Sequence, residues 1–107
     1  MYDLTLSVSH VPAQSDLDTR EITIGALLRE VAVARPDTEA LVEVRQDGST
    51  GRRWTYAGLL ADAERLAMAL STRFDPGERI VVWSPNSPDW VLMEYACALS
   101  GLVLVTA

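Results

Sequence analysis

The chain has one cysteine and one histidine among its 107 residues. One cysteine cannot close an internal disulfide, and one histidine cannot build a histidine-based metal site. Positive charge is also scarce: 9 Lys and Arg stand against 15 Asp and Glu, for a formal net charge of −6. A phosphate-binding surface needs clustered cations, so no nucleic-acid partner is expected. The start, MYDLTLSVSHVP, is polar and acidic. It lacks the basic opening and apolar core of a secretory signal, which makes the cytoplasm the expected compartment. One long apolar run exists, over 90–107, interrupted by Glu94, Ser100 and Thr106. A membrane span there is not expected. Glu94 would cost about 2.5–3.5 kcal/mol near a bilayer centre, Ser100-Gly101 divides the run, and no basic residue flanks it.

What the sequence does contain is one small domain's worth of apolar residues, 49% against 22% charged, too many for a disordered tail. Residues 2–8 alternate apolar and polar, a strand pattern that Pro12 ends. Residues 1–21 form a polar leader. Ile24, Leu27, Leu28, Val31 and Ala32 recur at helical spacing, which predicts a helix over 24–35 with Thr23 as its cap and Pro36 as its stop. ALVEV at 40–44 and 52–55 predict two strands joined by the turn QDGSTG at 46–51, with Asp47-Gly48 as the hairpin signal. Leu59, Ala63, Leu66 and Leu70 form the stripe of a second helix over 56–72, capped by Thr55. Trp54 and Leu59 are placed as a hydrophobic staple. Residues 22–76 thus read as helix, hairpin, helix.

Residues 77–107 read as a βαβ unit. RIVVW at 79–83 is a strand. Ser87 is placed to cap a helix over 88–100, with Pro88 at its first position, Asp89 in its first turn and Gly101 as its stop. LVLVT at 102–106 is a second strand, parallel to the first. LVLVT is apolar on both faces, a pattern suited to a strand with layers above and below and neighbours alongside. Three helices and a few strands cannot cover these surfaces. The expectation is therefore an α/β fold that is part of a larger domain, truncated after this unit.

In order and spacing these segments resemble the N-terminal segment of the acyl-CoA synthetases in the adenylate-forming superfamily, the AMP-dependent synthetases and ligases. The resemblance rests on TIGALLREVAVARPDTEALV at 23–42, RRWTYAGLLADAERLAMAL at 52–70 and GERIVVWSPNSPDWVLMEYACALSGLVLVTA at 77–107. The opening LSVSHVP resembles the preamble of fatty-acid and medium-chain members. Gly58 departs from the Glu usual in the family, which touches only the helix cap. The resemblance implies the large-domain fold and a two-step reaction. A carboxylate attacks the α-phosphate of ATP, assisted by Mg²⁺, to give an acyl-adenylate, and the thiol of coenzyme A then displaces AMP. The family's phosphate loop with its Lys, its adenine and metal motif, its ribose-binding Asp and its C-terminal Lys all lie later in the chain. No catalytic, cofactor-binding or metal residue is therefore carried onto this sequence, and the chain alone is expected to be inactive.

Other candidates favour structural readings. Residues 48–53 (GSTGRR) superficially suggest a phosphate cradle, but they lie between two strands rather than before a helix. The loop 84–88 precedes a helix N-terminus that could hold an anion, yet Ser87 and Asp89 can satisfy it. Cys97 sits among apolar neighbours and reads as buried and inert. His10 reads as a surface residue. Asp16, Asp18, Glu21 and Asp37 lack a Ca²⁺-loop pattern. Trp54, Trp83 and Trp90 are each expected to pack. Two alternative functions stand beside the ligase segment. One is a non-catalytic module pairing through its open sheet edge, with the remainder of a synthetase or with itself. The other is a minimal nucleotide-binding domain, disfavoured by a proline-rich turn where glycines are needed.

Overall fold

The computed structural model describes residues 10–15 and 18–107. The alternating strand expected at 2–8 lies outside the described residues. The observed order is α1 (Ile24–Ala34), β1 (Glu39–Val44), β2 (Thr50–Thr55), α2 (Tyr56–Ser71), β3 (Arg79–Val82), α3 (Pro88–Ser100) and β4 (Val103–Thr106). The fold is α/β, with three helices, an antiparallel β1–β2 hairpin and a separate parallel β3–β4 pair. None of the helices among the described residues is long and apolar enough to cross a membrane.

Local chemistry fixes most element ends. Thr23 Oγ1 accepts from Ala26 N–H at 3.2 Å and Thr55 Oγ1 from Gly58 N–H at 3.1 Å, each satisfying an otherwise orphaned donor of a first turn. Arg35 leaves helical geometry with φ −140°, as a residue before proline must. At the hairpin, Gly48 takes φ 83° and Gly48 N–H donates to Arg45 O at 2.9 Å. Asp47 Oδ1 accepts from Ser49 N–H at 2.9 Å. This compact turn starts β2 at Thr50, earlier than the expected 52.

The end of α3 has the same clarity. Gly101 sits in the left-handed region at φ 72°, and Leu102 N–H donates to Cys97 O at 2.9 Å. The chain then enters β4, which pairs parallel with β3 in the register Arg79 with Val103 through Val82 with Thr106. The start of α3 differs from expectation. Ser87 stands at the cap position, but its hydroxyl makes no capping bond. The turn closes through Trp90 N–H donating to Ser87 O at 3.1 Å.

The core is small. Leu28, Leu59 and Ala63 form its buried centre, with Leu41, Trp54, Tyr56, Leu92, Tyr95 and Leu99 packed around it. Trp54 and Leu59 thus join the same cluster, as the expected staple requires. Ala63 on α2 and Ala96 and Cys97 on α3 are also buried, and α2 and α3 are the helices that pack most extensively on one another. Leu59→Ala should lower the unfolding free energy by about 2–5 kcal/mol through loss of burial and the cavity left behind. Exposed Val33→Ser should change it by no more than about 0.5 kcal/mol. Urea titration of the two variants measures both.

Candidate functional site

The parallel pair β3–β4 is the least covered part of the structure. Side chains alternate between faces along a strand. Ile80, Val82 and Leu104 share one face and are half-buried, on a sheet that α3 packs against through β4. Val81, Val103 and Val105 share the other face, and their exposures are 62%, 45% and 37%. Trp83, which follows β3, is 90% exposed. The expectation that Trp83 packs is therefore wrong: β3 ends at Val82, and no described residue covers the indole. Each strand also has a free edge, since the sheet has 2 strands among the described residues. The result is an apolar face bounded by unpaired backbone donors and acceptors, a surface suited to taking on further strands and a covering layer.

A charged cluster lies at the hairpin. Arg52 on β2 donates from both terminal nitrogens to Asp89 Oδ1 and Oδ2 at 3.0 and 3.1 Å. Its Nε donates to Glu43 Oε2 at 3.3 Å, and its backbone N–H donates to the same oxygen at 3.0 Å. The guanidinium also lies 5.3 Å from the centroid of the Trp54 ring, within cation–π range. Glu43 is held below the usual carboxylate range first by the Arg52 backbone N–H, then by its side chain, with a smaller contribution from Arg45. Asp89 is lowered chiefly by its bonds to Arg52. Both carboxylates therefore stay ionised at neutral pH, and the pairing is lost only as pH falls through these lowered values.

The sequence candidates fall as follows. Residues 48–53 form the hairpin turn and the first part of β2, with no helix following to present N–H groups to a phosphate. The loop 84–88 leads into α3, where Asp89 faces Arg52 rather than an open anion site. His10, Asp18, Glu21 and Asp37 are exposed, and Asp16 lies outside the described residues. Among the described residues no group of 3 His, Cys, Asp or Glu side chains gathers as a metal site. Trp54 is half-buried and donates its indole N–H to Asp62 Oδ2 at 2.8 Å; Trp90 is half-buried on α3. The role of Arg52 was missed by sequence reasoning. Its pairing with Glu43 is visible in principle as opposite charges across a hairpin. Its contact with Asp89, 37 residues away, has no local sequence signal.

Cys97 is 1% exposed, and burial pushes its thiol above the ordinary value. Such a thiol is a poor nucleophile. A small disulfide reagent should modify Cys97 far more slowly in the folded chain than in denaturant; equal rates would show that Cys97 is not protected by the fold.

Comparison with known proteins places this geometry. The family model for AMP-binding enzymes matches residues 28–107. The medium-chain acyl-CoA ligase ACSF2, mitochondrial, of Danio rerio is 36% identical over 102 residues, which is 94% of this chain and 16% of that protein. Its Homo sapiens counterpart is 38% identical over 85 residues, 78% of this chain and 13% of that protein. Among solved structures, the N-terminal domain of FACL13 from Mycobacterium tuberculosis matches with a TM-score of 0.70 and 32% identity, over 80% of this chain and 21% of that one. The chain thus spans about a sixth of the length of the Danio rerio relative. The cytoplasmic expectation is overturned by these relatives, both of which carry a mitochondrial designation. A polar start argues only against a secretory signal, which is a different device from a mitochondrial transit segment. A helix, hairpin, helix and βαβ unit in this order, matched in sequence and in structure, assign the chain to the AMP-binding enzymes, the adenylate-forming superfamily, where it corresponds to the N-terminal segment of the acyl-CoA synthetases.

Proposed function

We propose that this segment is scaffold rather than catalytic machinery in an ATP-dependent carboxylic acid–CoA ligase. The whole ligase would use ATP, Mg²⁺ and coenzyme A to make an acyl-adenylate and then an acyl thioester, with fatty acids as the substrate class. The observation that carries this reading is the apolar, uncovered β3–β4 face in a chain whose 94% corresponds to 16% of a ligase. The occupant of that face and of the adjoining edges is the remaining polypeptide of the same ligase. A parallel strand pair with a helix on one side is stabilised by further strands alongside and a second layer opposite.

The chemistry supports the same division of labour. Adenylation needs cations and donors aimed at the triphosphate. The sequence holds no lysine, its basic residues all being Arg, so neither of the two lysines that the family resemblance implies can come from this segment. Arg52, the arginine with the most partners, is committed to Glu43 and Asp89.

The purified chain, supplied with ATP, Mg²⁺, coenzyme A and a panel of fatty acids, should release no pyrophosphate above background in a coupled assay. Robust acid-dependent turnover would refute the scaffold assignment. The same preparation should also self-associate on size-exclusion chromatography as concentration rises, and Trp83→Ser should reduce that association. A wild-type monomer that unfolds sharply at all concentrations would remove the argument from the uncovered face.

A further inference from the structure

The start of α3 is fixed from outside the helix. Ser87 offers no hydroxyl cap, so the first turn lacks the internal restraint that capping residues give. Arg52 reaches this turn from β2 and grips both oxygens of Asp89 in a two-pronged contact. Its remaining donors go to Glu43 on β1. The Glu43 carboxylate in turn occupies the space where a Cβ on residue 51 would stand; glycine at position 51 is what admits it. The Arg52 guanidinium lies 5.3 Å from the centroid of the Trp54 ring, so the two side chains stand together on β2. Trp54 donates to Asp62 on α2 at 2.8 Å. A single strand therefore holds α3 through one side chain and α2 through the other.

We propose that Arg52 is a positioning residue that fixes the start of α3, and with it the 84–87 connection, against the hairpin, in place of the absent hydroxyl cap. This inference does not depend on the ligase reading. Isolated exposed ion pairs contribute little because two long side chains must be ordered in water. A planar guanidinium shared by two carboxylates and stacked on an indole is better ordered, and its fork geometry adds directionality. A lysine ammonium carries the same charge but cannot bridge both carboxylates in this way.

Amide hydrogen exchange on the chain tests the proposal with R52Q, R52K, D89N and the R52Q/D89N double variant. R52Q and D89N should each speed exchange over residues 89–93 by about threefold, the scale of one well-made surface pair. The double variant should exchange no faster there than D89N alone, and α2 around Ala63 should keep its wild-type rate. R52K should behave like R52Q. Multiplying effects in the double variant would overturn the proposal. So would equal acceleration of α2 and α3, or full rescue by lysine.

Discussion

A parallel pair of strands has two faces and two edges, and apolar side chains on both faces demand cover on both. In this chain α3 covers one face of β3–β4 and leaves the valines of the other in water. Helices α1 and α2 and strand β1 in turn pack against α3. The α2–α3 contact is the main helix pairing. The crossover from β3 through α3 to β4 is drawn tight by Gly77 N–H donating to Gly101 O at 2.8 Å. The hydrophobic effect is proportional to apolar area removed from water, so an uncovered Trp83 and three valines represent stabilisation still to be gained by association.

The function proposed above rests on that uncovered face more than on any side-chain constellation. The chain holds a deeply buried thiol, an exposed histidine and a hairpin whose polar groups are satisfied locally by Asp47 and Ser49. None of these is placed to polarise a carboxylate or a phosphate. The organised charges, Glu43, Arg52 and Asp89, tie secondary-structure elements to one another. On the function proposed above, this segment would hold the sheet on which the donors and cations around a triphosphate are mounted.

Much of the fold was legible where backbone chemistry is local. Helix α3 matches the expected 88–100 because Pro88 opens it and Gly101 closes it. Thr23 and Thr55 cap as their positions predict, and Asp47-Gly48 makes the hairpin turn. The readings that failed depended on partners remote in sequence. Ser87 has a capping residue's identity, yet its hydroxyl is unused while Arg52 holds the next turn. Trp83 was expected to pack because large aromatics usually bury their area, and among the described residues nothing covers its indole. The compartment was misjudged because a signal defined by its absence says nothing about other targeting routes. No catalytic site was legible, since a packing pattern carries no reactive groups.

On the function proposed above, the face bearing Val81, Val103 and Val105 is covered by the rest of a ligase polypeptide. Site-directed labelling reads this directly, because the natural Cys97 is buried. A cysteine introduced by Val105→Cys would be reacted with a maleimide, first in this chain alone and then in the same segment joined to the remaining domains of a ligase. Labelling should be fast in the isolated chain and strongly suppressed in the joined protein. Equal, fast labelling in both would contradict that proposal.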